Sequence, residues 1–212
     1  MFRAQIGPAG FSSSDVERAA EILAGGGVGI IPTDTVYGLT ALASHEGAVK
    51  RLLDIKDRPA GKPPPVQISE AADAHMLTFA EKPDAVALMK KFWPGPLTIV
   101  LRRREGVDLP FQERESLALR MPDNSFCLEL IRAAGFLVVP SANRSGEPPP
   151  VSVEEVAHEV VGLVDFVVDG GACKSGAEST VVDLTGGLQV LREGAITREE
   201  IERALGESEG SG

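Results

Sequence analysis

Short apolar runs alternate with capped amphipathic segments along the whole of this chain, with no linker and no internal repeat between them. That interleaving restricts the fold to a mixed αβ (α+β) domain, a twisted mixed sheet flanked by helices. Helices are expected over residues 16–24, behind a capping box of Ser14 and Glu17 and ahead of three glycines, and over 46–55, 70–76 and 83–92, the last with Pro83 in its first turn. Asp123 or Asn124 caps another through residue 134. Two further capping boxes, Ser152 with Glu155 and Thr197 with Glu200, open helices reaching about residue 161 and Gly206. Strands are expected over 28–31, 66–68, 97–101, 117–119, 136–139, 166–168, 179–184 and 188–192. Gly186-Gly187 joins the last two as a hairpin, so the sheet is not purely parallel. The expectation is one domain over residues 1–206 and a frayed polar tail over 207–212.

The 212 residues carry 21 Lys and Arg against 31 Asp and Glu, a net charge of −10. This argues against a dedicated nucleic-acid binder but not against a local basic cleft. Cys127 and Cys173 give neither a disulfide framework nor a zinc spacing, and His45, His75 and His158 are scattered. No basic-then-apolar leader opens the sequence, and no apolar run is long enough for a bilayer. A reduced, cytoplasmic protein is expected.

Against that acidic background, Lys56, Arg58 and Lys62 fall within seven residues. Pro59 and Pro63 push the residues before them towards extended conformations. Side chains two apart in an extended segment share a side, so Lys56 and Arg58 are expected to form a fork aimed at an anion. An ordinary solvated loop is the other reading of the same run. Small polar groups follow several strands in loops stiffened by Pro and Gly, where αβ proteins place ligand groups. Thr33 and Thr35 flank Asp34 after the first expected strand. Ser141 and Asn143 repeat the pattern after residues 136–139, and both can donate to phosphate or carboxylate oxygens. Arg120 ends a strand, where its planar fork suits a carboxylate. Ser179-Thr180 and Arg192 bracket the hairpin and can meet at one end of the sheet. Each of these also has a purely structural reading as a turn, a cap, an ion pair or β-propensity.

Three other motifs fail. The stretch 170–175 has Cys173 where a P-loop needs glycine, and no helix pattern follows. The glycines of 25–29 precede a strand, whereas a dinucleotide fingerprint precedes a helix. Arg102-Arg103-Arg104 lacks an aromatic platform beyond Phe111 and reads as a solvated strand end.

Taken together, the stretches 32–39, Lys56-Asp57-Arg58-Pro59 with Lys62-Pro63, 93–98, 119–122, 140–146, 179–183 and 192–196 resemble the YrdC-like family, the threonylcarbamoyl-AMP synthases, over about residues 16–196. The resemblance implies a twisted mixed sheet with a concave basic cavity. It implies the conversion of L-threonine, bicarbonate and ATP to threonylcarbamoyl-AMP and pyrophosphate, for the N6-threonylcarbamoyladenosine of tRNA, with Mg2+ carried by the ATP phosphates. By the same resemblance, catalytic roles fall on Lys56, Arg58, Ser141 and Asn143. ATP contacts fall on Arg58, Lys62, Ser116, Ser141 and Arg192. Threonine contacts fall on Thr35, Gln67, Arg120 and Ser179, with backbone help near Val139. The implied partners are downstream threonylcarbamoyl-transfer proteins and a weak contact with tRNA, without a membrane.

The sequence departs from the family pattern in places. Longer members carry a further C-terminal domain, so this chain resembles the short form. Lys62 stands where many relatives have Asn, Gln67 where many have His, and Pro63-Pro64-Pro65 where Pro-Leu-Ile is more usual. Two alternatives therefore stay open: a carbamoyl-adenylate-type transferase, and a nucleotide- or RNA-binding paralogue without synthase activity.

Overall fold

A computed structural model describes residues 1–7, 10–58, 63–109 and 115–209. In chain order its strands are β1 (Phe2–Gln5), β2 (Gly29–Ile31), β3 (Gly38–Leu42), β4 (Val66–Gln67), β5 (Leu97–Arg102), β6 (Ser116–Arg120), β7 (Leu137–Val138), β8 (Phe166–Asp169), β9 (Thr180–Asp183) and β10 (Gln189–Arg192). The helices are α1 (Ser13–Ala24), α2 (Glu46–Ile55), α3 (Ala71–Leu77), α4 (Pro83–Phe92), α5 (Ser125–Ala134), α6 (His158–Gly162) and α7 (Arg198–Glu209). The strands form one mixed sheet in the order β1-β8-β2-β3-β7-β4-β6-β5-β9-β10. Four of its pairings, β1 with β8, β8 with β2, β4 with β6 and β5 with β9, are parallel.

The period-2 alternation of side chains decides what covers each face. On one face lie Ile30, Val66, Leu97, Ile99, Leu117, Leu119, Val138, Val167 and Val182, all in the larger core cluster. On the other face Ile31, Leu137, Phe166 and Val168 join a smaller core with Val16, Ala19 and Leu23 of α1 and with Phe126, Leu130 and Ile131 of α5. Gln67 pairs with Leu137 across β4 and β7, and directly paired residues share a face. The α1–α5 layer thus covers only one end of this face. Beyond it, β4, β6, β5 and β9 present Gln67, Arg120, Ala118, Thr98, Val100, Val181 and Asp183 to an open concavity.

Local structure departs from expectation at identifiable points. The first helix is capped two residues early. Ser12 Oγ accepts from Asp15 N at 3.2 Å and Asp15 Oδ2 from Ser12 N at 3.3 Å, so the box is Ser12–Asp15 and Glu17 lies within the helix. The Ser152–Glu155 box does not form, because the Glu155 carboxylate accepts from Val151 N at 2.9 Å instead. Residues Val153–Glu155 make a 3-10 turn, and α6 starts only at His158. The last helix does not stop at Gly206 but runs to Glu209. A helical glycine costs about 1 kcal/mol, which the packing of α7 against α4 outweighs. Two strands went unread, the edge strand β1 and β3. Among the described residues, no helix is long and apolar enough to cross a membrane.

Candidate active site

The concavity has a volume of about 450 Å³, within the range of small-molecule sites. Its inner end is built by the turn between β2 and β3. Thr33 Oγ1 accepts from Thr35 N (3.1 Å) and Val36 N (3.2 Å), which folds the turn on itself. Arg120 crosses behind it from the end of β6. Its Nη2 donates to Asp34 Oδ1 at 2.5 Å, Nη1 to Thr35 Oγ1 at 2.9 Å and Nε to Gly95 O at 3.1 Å. The last acceptor comes from the Trp93–Pro96 turn, itself pinned by Trp93 Nε1 donating to Leu97 O and by Gly95 N donating to Met121 O. Both members of the Asp34–Arg120 pair are 6% exposed at the side chain. Burial pushes the Arg120 pKa down and Asp34 partly restores it. Beside them Thr98 Oγ1 lies 2.9 Å from Ser179 Oγ. Gln67 is buried in the same wall, and its Oε1 has no hydrogen-bond partner among the described residues.

The close approach of β3 to the following loop needs Gly38. A Cβ there would collide with the Val139 side chain and come within 3.2 Å of Pro140 O. Gly38 also bridges to Ser141, which places the Ser141 loop on the cavity wall.

Lys56 holds that loop from behind. Its Nζ donates to Ser141 O (2.7 Å), Asn143 O (2.9 Å), Asn143 Oδ1 (3.1 Å) and Ser141 Oγ (3.2 Å), three protons shared among four oxygens. Ser145 N returns a bond to Lys56 O at 2.9 Å, and Asn143 Nδ2 donates onward to Glu147 O at 2.6 Å. Burial, with repulsion from Arg58, lowers the Lys56 pKa to about 8. The expected fork of Lys56 and Arg58 is therefore corrected. Lys56 caps α2 in a helical conformation, and Asp57 takes a positive φ of 49°, a left-handed turn that Asp tolerates. The two cations diverge, Lys56 inward and Arg58 to the cavity wall. Asp57 is meanwhile tied to Arg144 at 3.0 Å.

At the mouth, Arg192 donates from Nε and Nη2 to Ser179 O (3.1 and 2.9 Å) and pairs through Nη1 with Glu178 at 2.8 Å. Gly194 lets the chain pass that segment, since a Cβ would strike Glu178 O. Arg58 donates to Pro63 O at 3.3 Å. Burial and the neighbouring Arg192 depress its pKa, with Glu178 opposing. The lining thus carries Arg58, Arg120 and Arg192 against Glu178 and Asp183.

Of the residues singled out in the sequence, Thr35, Arg58, Gln67, Ser116, Arg120, Val139, Ser141, Ser179 and Arg192 share this one cavity. Lys56 and Asn143 stand behind it, and Lys62 lies outside the described residues. Sequence reasoning missed Thr98 and Glu178, as well as the pairing of Asp34 with Arg120. Thr98 was accessible, because it shares the β5 alternation with Val100. Tyr37 was also missed; its hydroxyl donates to Gly171 O (2.7 Å) and accepts from Gly170 N (2.9 Å), clamping the loop that leads to Glu178. The Arg102–Arg104 run is not wholly solvated either. Arg104 donates to His75 O and Thr78 O, pairs with Glu81 at 2.9 Å and stacks over Phe79. Among the described residues, no cluster of three or more His, Cys, Asp or Glu is arranged to hold a metal.

A family model of the Sua5, YciO and YrdC proteins, described as "Telomere recombination", matches residues 21–194. The chain is 40% identical over 195 residues to the threonylcarbamoyl-AMP synthase of Bacillus subtilis and 41% identical over 192 residues to that of Pyrococcus abyssi. These matches cover 90% and 89% of this chain but only 56% of each relative, so the chain spans about half the length of those curated relatives. A Mycobacterium tuberculosis relative, 34% identical, is matched over 92% of this chain and 90% of its own length. Among solved structures, P. abyssi Sua5 complexed with L-threonine superposes with a TM-score of 0.88 at 36% identity, over 97% of this chain and 61% of that one. Escherichia coli YciO superposes at 0.83 and 26% identity, over 94% and 98%.

Proposed function

The chain belongs to the Sua5–YciO–YrdC family, and we propose that it is a threonylcarbamoyl-AMP synthase. The observation that carries this reading is the single cavity with a buried, carboxylate-paired Arg120 at one end and Arg58 and Arg192 at the other. L-Threonine takes the inner end. Its carboxylate meets the remaining N–H groups of Arg120, and its polar groups meet Thr35, Ser179 and Gln67 Oε1, which has no partner among the described residues. ATP enters as its Mg2+ complex, the metal riding on the phosphates and water. The triphosphate lies against Arg58, Arg192 and Ser141, and Lys62, four positions after Arg58 in the sequence, is proposed as an added cation.

The threonine nitrogen bonds to the carbon of bicarbonate with loss of water. A carbamate oxygen then attacks the α-phosphorus, and pyrophosphate leaves. Both steps are helped mainly by positioning and by charge neutralisation, which is what this cavity offers. Lys56 and Asn143 serve by holding Ser141 in place. The product goes on to threonylcarbamoyl-transfer proteins acting on tRNA in the cytoplasm, with a weak tRNA contact at the mouth. The test is pyrophosphate release from ATP with and without L-threonine and bicarbonate. Release that needs both is the expected result; release indifferent to threonine overturns the reading.

A further inference from the structure

The cavity does not end at the cations. Level with Arg192 and beyond it the wall of the sheet becomes apolar, formed by Val181, then Val100 and Ala118, with Leu191 at its lip, and Asp183 stands beside Val100. Register fixes this layout. Val100 is paired with Asp183 on one side and with Ala118 on the other, while Arg192 is paired with Val181. Asp183 is four residue steps beyond Ser179, about 13 Å at roughly 3.3 Å per residue. Asp183 is therefore well away from the inner end that the proposed function gives to threonine.

Its geometry is set. Oδ1 accepts from Thr185 N and Thr185 Oγ1, both at 2.7 Å, which orients the carboxylate at the start of the hairpin turn. Oδ2 has no hydrogen-bond partner among the described residues. A carboxylate repels a triphosphate and accepts hydrogen bonds only, so at the end of an apolar floor it selects a neutral group that donates.

We propose that Asp183 is the residue that recognises the nucleoside, taking a donor of the adenosine moiety, either the ribose diol or the exocyclic amine, while the flat base lies over Val100, Ala118 and Val181. The inference rests on the reading of this cavity as an ATP site. It adds a specificity determinant one same-face step along β9 from the residue paired with Arg192, on the side away from the threonine end.

The experiment is calorimetric binding of ATP, 2′-deoxy-ATP and inosine triphosphate to the wild-type protein and to Asp183→Ala, with Asp183→Asn as the variant that keeps an oxygen for the Thr185 turn. The wild type should bind ATP at least fivefold more tightly than one of the two analogues, and which analogue suffers identifies the donor. Asp183→Ala should weaken ATP about tenfold and bring that preference below twofold. Asp183→Asn should keep the melting temperature of the wild type while losing most of the preference. A preference that persists in both variants, or a wild type indifferent to both analogues, overturns the inference and leaves the ATP site standing. A wild type that binds no nucleotide overturns the functional reading and this one with it.

Discussion

At the inner end of the cavity Arg120 is 5% exposed and already engaged by Asp34, Thr35 and Gly95; at the mouth Arg192 is exposed and shares its guanidinium between a backbone carbonyl and the half-buried Glu178. The inner pair is close to neutral overall, and its desolvation was met when the chain folded. Such a site suits a small zwitterion, whose own charges cancel, and it gains from fixed geometry rather than from net attraction. The mouth has an exposed cation, Arg192, and a half-buried one, Arg58, with their charge only partly offset by Glu178. That suits a polyanion, and its attraction depends on salt. One cavity thus offers two kinds of ligand site that work through different physics.

The sharpest way to break the comparison is Arg120→Ala. It leaves the Asp34 carboxylate buried and unpaired, which should cost about 3–5 kcal/mol in urea unfolding. A loss under about 1 kcal/mol would show that the inner end is not a pre-built ion pair. Arg58→Ala should leave stability almost unchanged but lower turnover at least tenfold, about 1.4 kcal/mol in barrier; pyrophosphate release together with a melting curve separates the two.

Lys56 gives a pH prediction. With its pKa lowered to about 8, it is charged below that pH and loses a donated proton as pH rises through it. Four oxygens then compete for two N–H groups, and the Ser141 loop loosens. Turnover should fall severalfold on the alkaline side with a midpoint near pH 8, and Lys56→Gln, slower throughout, should lack that limb. The smallest effect is that of salt. Raising it from about 0.1 to about 0.5 M should weaken ATP binding a few-fold and threonine binding hardly at all, because screening reaches the mouth and not the buried pair.

Much of the framework was legible in the sequence because local chemistry wrote it there. Helices α2 and α4 begin and end where periodicity and, for α4, Pro83 put them, and the β9–β10 hairpin follows from Gly186-Gly187. What was not legible depends on partners distant in sequence. The edge strand β1 is defined only by pairing with β8, at Phe2–Gln5 against Phe166–Asp169. Glu155 abandoned its capping box for an amide four residues back.

The site divides the same way. Residues whose types already suggest anion binding were found from their local setting, Arg120 and Arg192 from their places at strand ends and Arg58 from the proline-stiffened basic run after α2. The inward turn of Lys56 was not, because it rests on a left-handed Asp57 and on acceptors 85 and 87 residues away. Asp34 looked like a turn residue. Its pairing with Arg120, 86 positions on, exists only once β2 and β6 belong to one sheet.

The central claim is that the cavity has an amino-acid end and a nucleotide end. The most direct measurement is separate calorimetric titration of L-threonine and of ATP into two variants, Gln67→Leu and Arg58→Ala. The account predicts a crossed pattern. Gln67→Leu, which removes the buried inner oxygen, should weaken threonine and leave ATP within twofold of wild type. Arg58→Ala should weaken ATP and leave threonine unchanged. If each variant weakened both ligands equally, or if Gln67→Leu weakened only ATP, the division of the cavity described here would be wrong.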